Sequence, residues 1–295
     1  MSDNTAWEGR SRGTKTGHKI FVWLLQKGGL RAAYSLLHFV AAYYRWFVPA
    51  ATRPLRYLYQ ERMGFSKSQT TGLIRKNIFI FGQTLIDKIA VLAQVPNKLQ
   101  FKHEGIENIE KMVAEGKGGI LLSAHLGNWE AAGHMLKRVN ARINIVMYDG
   151  EEQQMKDYME QFESKRSFHV ILIKDDLSHI YEMSAALARN ELICLHGDRF
   201  RPGNRTITHS FLGKDANFPA GPFILASKLR APVSFVFAFK EGNFDYHYYS
   251  FPARVYEGRG KEGMENMLQE YVATLETMIQ KYPEQWFNYF DFWNT

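Results

Sequence analysis

Gly119-Ile120-Leu121-Leu122-Ser123-Ala124-His125-Leu126-Gly127-Asn128-Trp129-Glu130 is the stretch on which the fold turns. Residues 119–123 are small or apolar without polar alternation, as in a strand buried on both faces. A short polar turn follows, and from Trp129 to Lys137 the spacing becomes helical. The same sequence of events recurs downstream. Asn144–Met147, Val170–Ile173, Leu192–Leu195 and Val233–Phe239 read as buried strands, with helical spacing at 151–164 and Leu177–Ala188 between them. Strand and helix in regular alternation predict an α/β fold with a mainly parallel central sheet flanked by helices. Tyr246–Ser250 alternates aromatic and polar residues and is expected to add an antiparallel strand. Met264–Lys281 reads as a closing amphipathic helix.

Upstream of the sheet the chain is different in kind. Residues 1–62 carry ten Lys/Arg and three Asp/Glu, which accounts for the whole net charge of +7, while residues 63–295 carry 27 of each sign. The division expected from this is a basic amphipathic N-terminal membrane-association segment, 1–62, and an α/β domain, 63–295. Helices are expected over 18–62, interrupted at Gly28-Gly29, and over Lys67–Leu92. Lys27, Arg31, His38 and Arg45 follow at steps of four, seven and seven, one stripe on a helix otherwise rich in Leu, Phe, Tyr and Val. A basic stripe on an apolar cylinder suits a helix lying in the interface of an anionic membrane surface. A full span fits less well, because no run of ~20 apolar residues avoids Lys or Arg. The competing reading is an ordinary core helix. Nucleic acid is not expected as a partner, since no basic-aromatic RNA motif or DNA-reading signature is found. No cleavable leader pattern is read. One cysteine, Cys194, excludes an internal disulfide framework and a Cys-rich metal site.

Two loops leave strands with unusual polar content, 123–130 and 196–205, and sites in such sheets gather at the carboxyl ends of strands. In the first, His125 stands just before a helix whose early turns hold Glu130. A carboxylate reaching back to the imidazole would fix its tautomer and raise its basicity, leaving the other nitrogen to accept a proton. The spacing His-x4-Glu by itself arises often by chance. Gly116-Lys117-Gly118-Gly119 lacks the spacing of a phosphate loop, and neither a Gly-x-Ser-x-Gly elbow nor a His-Glu-x-x-His metal motif is present. Arg201, Arg205 and His209 stand in a loop and are weaker candidates for a phosphate or the donor.

The octapeptide Ser123–Glu130 resembles the first signature block of the lysophospholipid acyltransferase-like superfamily. It is most similar to the lipid A late acyltransferase branch, with its His-x-Gly-Asn-Trp-Glu. Cys194–Arg199 with Phe211-Leu212-Gly213, then Phe218–Pro222 through Pro232, then Tyr282-Pro283-Glu284-Gln285-Trp286-Phe287 resemble the later blocks, in the family's order. The likeness runs over roughly residues 100–290. Asp198-Arg199 stands where the lipid A enzymes usually show Asp-Gln, and an aromatic tail follows Trp286 where they carry basic residues.

The resemblance implies a glycerol-phosphate acyltransferase-like fold and transfer of a fatty acyl chain from an acyl thioester, without cofactor or metal. The donor it favours is acyl-carrier protein, with acyl-CoA as the rival, and the acceptor is a hydroxyl or amine of a lipid or glycolipid. His125 would be the general base, oriented by Glu130. Arg166 lies where relatives carry a basic oxyanion-side residue, and Asp198 and Arg199 are candidates for oxyanion or acceptor binding. The implied location is peripheral or monotopic on the cytoplasmic face of a bacterial inner membrane. A non-catalytic lipid-binding protein of the same fold is the alternative from a different class.

Overall fold

The computed structural model describes residues 15–47, 49–92, 95, 97–128, 139–148, 168–174, 176–258 and 261–293. Glu130 and Arg166 lie outside them, as do the helical stretches expected at 129–137 and 151–164.

The central sheet has seven strands in the order β1-β9-β8-β2-β5-β3-β4. The strands are β1 (Gln100–Glu104), β2 (Gly119–Ser123), β3 (Ile143–Met147), β4 (His169–Leu172), β5 (Leu192–His196), β8 (Val233–Lys240) and β9 (Asp245–Ser250). From β8 to β4 every neighbouring pair is parallel. β9 turns back antiparallel on β8, and β1 runs parallel to β9 at the edge. Burial follows position in the sheet. Central β2 and β8 are buried along their whole length, whereas edge β1, Gln-Phe-Lys-His-Glu, alternates exposed and half-buried residues. Apolar residues all along a strand suit only a sheet covered on both faces.

The two faces are read directly from the strands. Ile120, Leu122, Ile193, Leu195, Phe235 and Phe237 point to one core, which also takes in the stripe Met264, Met267, Leu268, Tyr271, Val272 and Leu275 of the last helix (Glu262–Lys281). Leu121, Ile145, Val236 and Ala238 point to the other, against Ile109 and Met112 of a short helix, Ile106–Ala114. A two-stranded antiparallel hairpin, β6 (Thr206–Phe211) with β7 (Lys214–Pro219), stands apart from the sheet within the loop after β5. The hairpin, β1 and the 106–114 helix had no counterpart in the reading of the sequence.

Helix α1 (Lys15–Phe47) carries a break at Gly29, with φ 67 and ψ −170. A short α2 (Pro49–Arg56) follows, and α1 packs on α3 (Lys67–Leu92), where Leu25, Leu30, Ala33, Tyr34 and Leu37 share a core with Ile86, Ile89 and Ala90. One face of this helix is therefore a core face. Lys27, Arg31, Trp23, Phe39 and Tyr43 are exposed, and His38, also exposed, stacks its ring on Phe79 with centroids 4.4 Å apart. Among the described residues no helix is long and apolar enough to cross a membrane.

Candidate active site

β2 and β5 are adjacent and parallel, with Ser123 opposite His196. The residues that follow each strand therefore leave the same edge of the sheet side by side. The first residues past the two ends, Ala124-His125 and Gly197-Asp198, are thus neighbours although 73 positions separate His125 from Asp198. The Gly197 N–H donates to the Ser123 carbonyl at 2.9 Å, and the buried Tyr271 hydroxyl donates to the same carbonyl at 3.0 Å.

Asp198 is buried and meets His125 through both oxygens. Its Oδ1 lies 2.8 Å from His125 Nδ1, and its Oδ2 accepts the His125 backbone N–H at 2.9 Å. The indole N–H of Trp286 donates to the same Oδ2 at 3.3 Å. Burial alone would raise the Asp198 carboxyl. The charge and hydrogen bond of His125, with Arg199 and His196 behind them, outweigh it and hold the carboxyl well below the usual carboxylate range. An ionised carboxylate only accepts hydrogen bonds, so the imidazole nitrogen facing it carries the proton. Asp198, expected among the oxyanion or acceptor groups, faces the imidazole instead. This is the kind of contact expected of Glu130, which lies outside the described residues.

His196, the last residue of β5, sets its ring 4.4 Å from that of His125. Burial first, and the neighbouring His125, push its imidazole well below the ordinary value, with Asp198 opposing. A neutral His196 adds no positive charge beside the Asp198–His125 pair. Arg199 donates from a terminal nitrogen to the Phe287 carbonyl at 2.6 Å, so it also braces the C-terminal segment.

That segment lies along the His125 loop like an additional short strand. Gly127 N–H donates to Gln285 O at 2.8 Å, Phe287 N–H donates to His125 O at 3.0 Å, and Leu126 and Trp286 form an antiparallel bridge. The Gln285 side chain pairs with Lys240 as a backbone would, accepting from its N–H and donating to its carbonyl, both at 2.9 Å. On its other side the loop joins β8, where Gly127 bridges Ala238 and Asn128 N–H reaches the Ala238 carbonyl at 2.6 Å. Gly127 has φ +73, and a Cβ there would sit 2.0 Å from that carbonyl. Only glycine fits both the left-handed conformation and the approach. The turn expected at Gly127-Asn128 is therefore also the last rung of pairing to β8. Asn128 is buried, its amide donating to Tyr246 OH at 3.0 Å and to Thr84 O at 3.4 Å.

Sequence reasoning singled out His125 and Asp198, and the structure brings the two together. It missed His196 as a neighbour of His125 and Trp286 as a partner of the carboxylate. Parallel register between 119–123 and 192–196 would have signalled the first. Nothing local signals the second, 88 positions from Asp198. Among the described residues no group of three or more His, Cys, Asp or Glu is placed to hold a metal ion.

Against known proteins, the model of a family described as bacterial lipid A biosynthesis acyltransferase matches residues 18–295. A phosphatidylinositol mannoside acyltransferase from Mycobacterium tuberculosis is 25% identical over 125 residues, 41% of this chain. The match spans 39% of that relative's length. The crystal structure of the 1-acyl-sn-glycerophosphate acyltransferase of Thermotoga maritima aligns with 91% of this chain and 98% of its own, at 12% identity and a TM-score of 0.42.

Proposed function

This chain belongs to the bacterial lipid A biosynthesis acyltransferase family, and on that premise we propose that it moves a fatty acyl chain from an acyl thioester to a hydroxyl or amine of a lipid or glycolipid acceptor. The observation that carries the reading is the bond between His125 Nδ1 and a buried, ionised Asp198. With the proton fixed on Nδ1, Nε2 takes the proton of the acceptor as its oxygen or nitrogen attacks the thioester carbonyl. The tetrahedral oxyanion collapses, the carbon–sulfur bond breaks, and the thiolate leaves with the proton held by His125. The products are an ester or amide and a free thiol. Asp198 stabilises the imidazolium formed between these steps. Arg166 is retained as the oxyanion-side candidate and Glu130 as a further carboxylate of the same loop.

The donor we favour is acyl-carrier protein over acyl-CoA, on the family's account. The site of action we assign is the cytoplasmic face of a bacterial inner membrane. Exposed Trp23, Phe39 and Tyr43 beside Lys27, Arg31 and His38 support a helix that lies on an anionic surface.

Thiol release from lauroyl-carrier protein and from lauroyl-CoA, with a bacterial lipid extract in mixed micelles as acceptor, tests the reaction and ranks the donors. His125→Ala should lower transfer on the order of 10³-fold and leave vesicle binding intact. Unchanged transfer by that variant removes His125 as the base. Mass spectrometry of lipids from cells with and without the gene then identifies the acceptor as the species short of one acyl group.

A further inference from the structure

We propose that Trp286 is a positioning residue of the site, its indole N–H holding the Asp198 carboxylate in register with His125 and limiting how strongly that carboxylate draws a proton to the pair. The inference rests on the reading of His125 as the base.

The geometry sets Trp286 apart from an ordinary core tryptophan. Its ring is fully buried and walled edge-on by Phe211, Phe292 and Trp293, with centroids 5.5, 5.3 and 5.9 Å away. Its backbone is fixed independently, by the bridge to Leu126 and by the Asn77 amide donating to its carbonyl at 3.1 Å. Ring and backbone together leave the indole nitrogen one direction, toward Asp198 Oδ2 at 3.3 Å. That oxygen also accepts the His125 backbone N–H, so two fixed donors hold one oxygen and turn the other, Oδ1, onto the imidazole.

A donor on a carboxylate stabilises its charge and weakens its pull on a shared proton. Among the described residues, the other charged or titratable groups around the pair are His196 from β5, Arg199 from the loop after it, and Tyr271 from the last helix. None of them is altered by replacing the indole with a phenyl ring. Trp286→Phe keeps an aromatic ring in the same box and removes only the N–H.

The test is the pH dependence of kcat/KM for thiol release from the acyl thioester, with the thermal melt recorded in parallel. In Trp286→Phe the acid limb should move to higher pH by roughly half to one unit, with KM unchanged and the rate recovering toward that of the unaltered enzyme on the alkaline side. A purely structural role would lower the melting temperature and scale the whole profile down without moving its limb, which overturns the proposal. If Trp286→Phe does not fold, the unaltered protein still decides. With ¹⁵N-indole labelling, one of the six tryptophan N–H resonances should titrate along the acid limb and stop titrating in His125→Ala. Six resonances that stay still through the limb overturn the proposal. Full activity in His125→Ala would instead overturn the base assignment, so the two failures are distinct.

Discussion

The environment of Asp198 joins the proposed chemistry to stability in one residue. Burial would raise its carboxyl, but the charge and hydrogen bond of His125, with Arg199 and His196 behind them, keep it ionised in the folded protein well below the usual range. The sign of the linkage follows. An unfolded aspartate titrates near about 3.9, so from there down to the depressed folded value the unfolded chain binds more protons and stability falls with pH. The contribution is complete above the unfolded value and is lost as acid protonates the folded carboxyl. Asp198→Asn should therefore flatten the loss of urea resistance below about pH 5. An equally steep loss in the variant would assign the acid sensitivity elsewhere. The same substitution leaves an uncharged partner at Nδ1 and an imidazolium without its counter-charge. Transfer should fall on the order of 10³-fold, as the thioester assay would read. A near-normal rate would mean that another carboxylate, Glu130 foremost, orients the base.

At the level of elements, legibility tracked burial. The central strands were visible because a strand covered on both faces has no polar alternation, and 119–123 was bounded to the residue. Edge strand β1 was missed because one side meets solvent and Gln100, Lys102 and Glu104 break any apolar run. The hairpin 206–219 was missed for a related reason: Thr206, Thr208, His209, Asp215 and Asn217 pair with each other, not with the sheet. For the site, the strand end carrying His125 was legible, while its partners depended on register and long-range packing. One such packing is a buried cluster between α1, α3 and the β8–β9 turn. Lys240 Nζ meets Asp87 at 2.6 Å and the Asn243 carbonyl at 2.7 Å, and the hydroxyls of Tyr34 and Tyr246 donate to Asp87. Burial lowers the Lys240 ammonium and Asp87 opposes that shift. Removing one partner strands the other charge, so Asp87→Asn should cost about 3–5 kcal/mol. The double change Asp87→Leu with Lys240→Met should cost less than Asp87→Asn, since no charge is left unpaired. Urea melts compare them, and a double variant weaker than the single would show that the hydroxyls, not the ion pair, hold the cluster. Tyr246 also accepts from Asn128, so this cluster reaches the His125 loop.

Across the whole molecule the charge is divided: a neutral body and an N-terminal segment holding all of the +7. On α1 the division is between side chains. Leu25, Ala33 and Leu37 close onto α3, while Trp23, Phe39 and Tyr43 stand in solvent with Lys27 and Arg31. Deleting residues 1–62 would therefore bare Ile86, Ile89 and Ala90 and report on folding as much as on binding. Point changes on the outer face separate the two. Each basic residue near an anionic leaflet is worth about 1 kcal/mol, so Lys27→Glu with Arg31→Glu should weaken partitioning onto vesicles containing anionic phospholipid by more than about tenfold at low salt. The effect should shrink as the screening length contracts to about 8 Å at physiological ionic strength. Trp23→Ser, Phe39→Ser and Tyr43→Ser should instead remove a salt-insensitive part, because apolar insertion is not screened. The expected result is two components, one for each set of substitutions, with the thermal melt and thiol release from soluble donor unchanged in both. Vesicle binding that survives both sets at low salt would take the membrane contact away from this face and leave the exposed aromatics without that role.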